Sequence, residues 1–175
     1  IFFSDSTTNI AAATRNITTN VPATLSLNTL TLNGKGALSG AVSSTINVGT
    51  SASTWTIGDG TTSVVNLNAN QGASTAAGWN YNIAANLTLN QANTLFTGNG
   101  TAGVHTGAND PGFVFSGSIG EAASGYGITK SGSSRLTLSG NSLTFTGPLT
   151  VNGGQLFLTG NSNPGFAMTV NTGAI

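Results

Sequence analysis

Few side chains in this sequence could perform acid–base or metal chemistry, and they lie far apart. The four carboxylates are Asp5, Asp59, Asp110 and Glu121, and the one histidine is His105. Glycosidic hydrolysis needs two carboxylates that face each other across a sugar. Calcium needs about 6–8 oxygen ligands, and a lone histidine lacks the partners of a triad or a zinc site. We therefore predict that the protein is not an enzyme and binds no metal or cofactor.

Composition and charge exclude several further classes of function. Cysteine is absent, which removes disulfides and thiolate chemistry. Charged residues make up 5% of the chain and the net charge is zero, whereas binding to nucleic acids or anionic membranes needs clustered Lys and Arg. No apolar run approaches the ~18 residues of a membrane-spanning helix. We predict no nucleic-acid partner and no membrane insertion by this chain.

Two pairs of residues could bind a ligand. Trp79 and Tyr81 are separated by one residue and so share one face of a strand, where their rings could contact surface glycans. The alternative for these rings is packing in the core or at an interface. Lys130 and Arg135 could hold an acidic sugar, or they could form a solvated edge whose charges discourage off-register strand pairing.

The elements that must position these residues are short strands. Apolar residues alternate with Thr, Ser and Asn in short segments, and each segment ends at a glycine or at Asn-Gly. This pattern is typical of strands joined by tight turns. Similar units recur along the chain, and they are TLTLNG (29–34), NLTLNQ (86–91), RLTLSG (135–140) and QLFLTG (155–160). Such quasi-repeats favour a right-handed parallel β-helix, in which Leu and Val fill the interior and Asn side chains bond along the turns. A Greek-key β-sandwich is the alternative.

Residues 127–161 carry the clearest repeat. They contain Gly127-Ile-Thr-Lys130, Leu136-Thr-Leu-Ser-Gly-Asn141, Phe145-Thr-Gly147 and Val151-Asn-Gly-Gly-Gln-Leu156. This segment resembles the autotransporter-associated β-strand repeat of bacterial secreted and surface proteins. The resemblance implies a β-helical stalk, export, and a location that is extracellular or at the cell surface. It implies no catalytic residues.

The two ends of the sequence suggest how the protein acts. We expect residues 1–175 to form one β-solenoid domain, as a mature chain or as a processed piece of a longer one. Both ends are apolar and lack the charged or helical cap of a free solenoid end. We predict a homopolymer built by strand addition at the terminal strands. The predicted contacts are Ile1, Phe2, Phe3, Phe166, Val170 and Ile175.

Three classes of function follow from these observations. The first is a non-catalytic extracellular structural protein whose copies stack end to end into a surface fibre or sheath. The second is an adhesin-like passenger stalk that binds glycans or surfaces, with Trp79 and Tyr81 as the contact. The third is a polysaccharide lyase-like β-helix, which would need carboxylates and calcium that this sequence supplies poorly.

Overall fold

The backbone is built from short strands. The computed structural model describes residues 2–4, 15–17, 23–35, 44–70, 79–98, 112–140, 142–160 and 165–173, and these residues form seventeen strands and no helix. In chain order the strands are β1 (Phe2–Ser4), β2 (Arg15–Ile17), β3 (Thr24–Leu27), β4 (Thr29–Lys35), β5 (Ser44–Val48), β6 (Thr54–Ile57), β7 (Val64–Asn70), β8 (Trp79–Ile83), β9 (Asn86–Leu89), β10 (Asn93–Thr97), β11 (Gly112–Phe115), β12 (Ile119–Glu121), β13 (Gly127–Lys130), β14 (Arg135–Leu138), β15 (Leu149–Val151), β16 (Gln155–Leu158) and β17 (Met168–Val170). No helix of this described part is long and apolar enough to cross a membrane.

The strands form three parallel sheets that the chain visits in turn. The first sheet has the order β1-β4-β7-β10-β13-β15-β17, the second β16-β14-β11-β8-β5-β2, and the third β12-β9-β6-β3. An isolated parallel bridge from Ile119 to Leu143 extends the third sheet. One pass through the three sheets is called a rung here. Because the strand pairs are parallel and link successive rungs, the parallel β-helix is confirmed and the sandwich, whose strands pair antiparallel, is wrong.

The last rungs of the coil are shorter than the earlier ones. In the first sheet Val64 pairs with Leu95, which lies 31 residues later in the sequence. Leu95 in turn pairs with Thr129, which lies 34 residues later. From Thr129 to Thr150 the advance is 21 residues, and from Thr150 to Thr169 it is 19. We call the turns that begin at β13 the short rungs and the earlier ones the long rungs. The short rungs coincide with the repeat that the sequence shows most clearly.

Aligned apolar side chains fill the interior. Leu30 pairs with Val65, which is at the level of Phe96, and all three are fully buried. Rings also stack between rungs, and the centroids of Tyr81 and Phe113 lie 5.4 Å apart with nearly parallel planes. Fully burying a side chain of this size contributes about 1.5–3 kcal/mol. Stability therefore depends on each rung covering the one before it.

Glycines let the rungs approach each other at one corner. A Cβ atom added to Gly140 would lie 2.0 Å from the carbonyl oxygen of Gly117, and one added to Gly160 would lie 2.0 Å from that of Gly140. A Cβ atom added to Gly117 would lie 2.1 Å from the carbonyl oxygen of Ala85. No side chain fits at such distances, so glycine is required at this corner in the short rungs.

Asparagine side chains join successive rungs at other corners. Asn171 Nδ2 donates to Asn152 Oδ1 at 2.6 Å, and Asn90 Nδ2 donates to the carbonyl oxygen of Gly58 at 3.2 Å. Asn86 Oδ1 accepts from the backbone nitrogen of Ser118 at 2.9 Å. The prediction that Asn side chains bond along the turns is confirmed at these positions.

Candidate assembly interface

The last described strand of the first sheet leaves apolar side chains open. Met168 and Val170 are 55% and 52% exposed. Their partners one rung earlier, Leu149 and Val151, are 0% and 1% exposed. Since the residue types and the register are alike, the difference arises because no described rung covers β17.

The second sheet ends in the same way. Leu158 is 36% exposed, whereas Leu138, its partner in β14, is fully buried. A recess of about 320 Å³ lies between the two sheets at this end, and its lining is apolar. We call this surface the open rung, and it consists of Val151, Leu156, Leu158, Met168 and Val170.

The residues predicted for self-assembly do not all lie on the surface. Val170 lies in the open rung, so its side chain is accessible for the predicted contact. Phe166 stacks on Phe145, with ring centroids 4.5 Å apart and an interplanar angle of 2°, and only 9% of it is exposed. Phe166 therefore belongs to the core and offers little contact surface, which corrects that part of the prediction. Ile1 and Ile175 lie outside the described residues.

The opposite end of the coil carries the first strand of each sheet. Phe2 and Phe3 lie in β1, where their backbones pair with Thr31 and Leu32 of β4. The side chains of Phe2 and Phe3 are outside the described part of the structure. Among the described strands, β1, β2 and β3 each have a neighbour on one side only. Because all pairs are parallel, the edges at the two ends of the coil run in the same direction.

The predicted glycan contact is corrected for Tyr81. This side chain is 1% exposed and stacks on Phe113 inside the coil. The spacing of Trp79 and Tyr81 indicates one shared face but does not say which face, and Tyr81 lies on the inner one. The side chain of Trp79 lies outside the described residues.

Lys130 and Arg135 do not form one surface. Lys130 is fully buried, and its ammonium donates hydrogen bonds to the carbonyl oxygens of Ser131, Gly132 and Gly153 at 2.8, 3.2 and 3.2 Å. Burial lowers the pKa of Lys130 to about 8. Arg135 lies outside, with its guanidinium carbon 4.8 Å from the centroid of the Phe157 ring. Both proposed roles for the pair, the sugar clamp and the solvated edge, are wrong for Lys130.

The described carboxylates make local structural contacts. Asp59 accepts hydrogen bonds from the hydroxyl and backbone nitrogen of Thr61 and from the backbone nitrogen of Thr62. The Thr61 hydroxyl above all lowers the pKa of Asp59 to about 2. Glu121 accepts from Thr146 Oγ1 at 2.7 Å and from the backbone nitrogen of Tyr126 at 2.9 Å. Within the described ranges no three His, Cys, Asp or Glu residues come together as metal ligands.

Comparison with known families gives one match. Residues 128–156 match the family model of the passenger-associated-transport repeat, which confirms the resemblance over β13 to β15 and the start of β16. Comparison with curated proteins and with solved structures gives no match. The repeat and the parallel coil together indicate a passenger-type β-helix. Repeats of this kind are not a known catalytic family, and they imply a secreted or cell-surface location in general.

Proposed function

We propose that this protein is a non-catalytic extracellular structural rod whose copies stack end to end into a surface fibre or sheath. The observation that supports this proposal is the open rung. There a regular parallel ladder meets an uncovered apolar surface, with Met168 and Val170 about half exposed and a recess of about 320 Å³ beside them.

A second copy is the occupant that the ladders favour. Its first rung carries the edges of β1 and β2 that no described strand pairs, and these strands belong to the same sheets as β17 and β16. Parallel pairing of β1 with β17 would continue the first sheet from one copy into the next. Strand addition of this kind forms main-chain hydrogen bonds across the junction, and the apolar side chains set the register.

The geometry of such a contact produces a filament. One end of the coil binds the other end of the next copy, so the interface is heterologous, and repetition gives an open chain unless the rotation closes a ring. Strand β1 is already paired with β4 of its own chain. It would therefore act by offering its second edge, without leaving its own coil.

The weak charge of the protein supports close stacking. Charged residues make up 5% of the sequence and the net charge is zero. Copies with so little charge repel each other weakly. Half-exposed Met168 and Val170 would each contribute about 1 kcal/mol on burial, and the backbone bonds of the added strand would supply the orientation.

Negative-stain electron microscopy of the purified chain tests this proposal. We expect filaments whose long axis follows the stacking direction of the rungs. Deletion of residues 1–5 removes the β1 edge and should abolish the filaments while circular dichroism still shows β structure. Filaments that form normally without residues 1–5 would exclude β1 as the added edge.

A further inference from the structure

The outer face of the second sheet carries a polar and aromatic patch near its last strands. Arg135 pairs with Gln155, and Thr137 pairs with Phe157, across β14 and β16. The alternating residue Leu136 is fully buried in the core. We call the four outward residues, Arg135, Thr137, Gln155 and Phe157, the outer patch.

The guanidinium of Arg135 lies against an aromatic ring. Its guanidinium carbon lies 4.8 Å from the centre of the Phe157 ring, within the range of a cation–π contact. Within the described part of the chain the Nε atom of Arg135 is buried and has no hydrogen-bond partner. A fixed guanidinium of this kind is suited to a carboxylate, which it can bind through two parallel hydrogen bonds.

Two further polar atoms of the patch are buried and unpaired among the described residues. Thr137 is 7% exposed and its Oγ1 atom has no partner, and Gln155 Oε1 is also buried without one. Buried polar atoms in folded proteins nearly always have a hydrogen-bond partner. Together with Arg135 Nε, they form a cluster of unused hydrogen-bonding groups beside the ring of Phe157.

Phe157 supplies an apolar surface next to these groups. Its side chain is 39% exposed, which is unusual for a phenylalanine. An aromatic ring packs against the apolar C–H face of a pyranose, while hydroxyl and amide groups beside it bind the sugar hydroxyls. A ring, a guanidinium, a hydroxyl and an amide together match a sugar that also carries a carboxylate.

We propose that the outer patch binds a uronic acid unit of an acidic polysaccharide. The guanidinium of Arg135 binds the carboxylate, the ring of Phe157 packs against the sugar, and Thr137 and Gln155 bind hydroxyl groups. An acidic peptide would use the guanidinium but would leave the ring and the amide without a role. The four side chains of the patch are not among those of the open rung, so this proposal rests on different observations from end-to-end stacking.

Isothermal titration calorimetry of the full chain with an oligogalacturonate and with the matched neutral oligogalactan tests the proposal. We expect saturable binding of the acidic oligomer alone, weakened by added salt because its charge is screened. Arg135→Gln and Phe157→Leu should each weaken binding by about tenfold or more, which corresponds to the loss of a charge-assisted bond or of the stacking surface. Thr137→Val should weaken binding while leaving the β structure unchanged by circular dichroism.

Thr150→Val is the matched control, since Thr150 faces outward from β15 in the first sheet, away from the patch. This variant should bind as the unchanged chain does. Equal affinity for the neutral oligomer, no saturable binding of the acidic one, or unchanged binding by Arg135→Gln would each overturn the proposal. Equally tight binding of a hexaglutamate peptide would show that the ring is unused and would overturn the assignment to a sugar. Microscopy of the same samples shows whether filaments form, so failure of either proposal is recognised separately.

Discussion

Lys130 Nζ lies 3.2 Å from the carbonyl oxygen of Gly153, so a buried ammonium joins two successive rungs. The other two hydrogen bonds of the ammonium go to the carbonyl oxygens of Ser131 and Gly132 at the adjacent corner. An ammonium has three donors, and here all three are used. Gly154 is part of the same arrangement, because an added Cβ there would lie 2.9 Å from Lys130 Nζ.

The stability of the protein should rise between pH 8 and pH 10.5 because of Lys130. Burial lowers the pKa of this amine from 10.5 to about 8, so its desolvation outweighs the three hydrogen bonds. Below pH 8 the amine is charged in both states, and the folded state carries the full cost. Between the two pKa values the unfolded chain binds more protons, so the free energy of unfolding increases with pH, by up to about 3 kcal/mol in total.

Chemical denaturation at several pH values between 7 and 10 measures this increase. Lys130→Met is the control, because it retains the length of the side chain and removes the titrating group. Subtracting its pH dependence isolates Lys130 from the tyrosines and from Lys35. If both proteins show the same slope, Lys130 does not have a lowered pKa.

Alanine at Gly140 should prevent the short rungs from stacking. Its Cβ would lie 2.0 Å from the carbonyl oxygen of Gly117, so the backbone of one rung would have to move. We expect a loss of at least about 3 kcal/mol in the free energy of unfolding, or failure to fold. Gly165→Ala is the matched control, since no atom lies within 4 Å of the added Cβ, and it should change stability by less than about 0.5 kcal/mol. Equal effects of the two substitutions would contradict the role of the corner.

The sequence predicts most of the coil because the same signal repeats. Alternation at Leu136 and Leu138, or at Leu87 and Leu89, gives strands, and both pairs are buried as expected. The sequence does not predict strand β12, since Ile119-Gly-Glu121 carries only one apolar residue. It forms because its neighbour β9 offers a parallel edge, which is a tertiary effect that local sequence does not contain.

The candidate sites were less predictable, because charge and ring type do not say which face of a strand lies inside. The charge of Lys130 predicts a surface position. However, Lys130 lies on the same face of β13 as Ile128, which is fully buried. That two-residue spacing was the available signal for an inner lysine. The outer patch had no such signal, since Arg135 and Phe157 meet only through the register between β14 and β16.

Serine at Met168 and Val170 should prevent end-to-end assembly. Both side chains lie in the open rung and are more than half exposed, so the double substitution removes apolar contact area without opening the core. We expect filaments to disappear in electron microscopy, with thermal unfolding of the single rod changed by less than about 1 kcal/mol. Thr169→Ser changes the outward residue between them and should leave filaments intact. Filaments that persist in the double variant would show that the open rung is not the interface.

The hydroxyl of Thr61 should be the group that keeps Asp59 acidic. Asp59 has a pKa lowered from 3.8 to about 2, first by the Thr61 hydroxyl and then by the backbone nitrogens of Thr62 and Thr61. Its stabilising effect is therefore present above pH 3.8 and is lost as the pH falls through 2. Thr61→Val should raise the pKa of Asp59 towards its usual value, as measured by NMR titration of the carboxyl carbon.

Thr62→Val is the control, because Thr62 contributes its backbone nitrogen to Asp59, and this variant should leave the titration unchanged. A pKa that rises equally in both variants would show that backbone geometry, and not the hydroxyl, sets the acidity of Asp59.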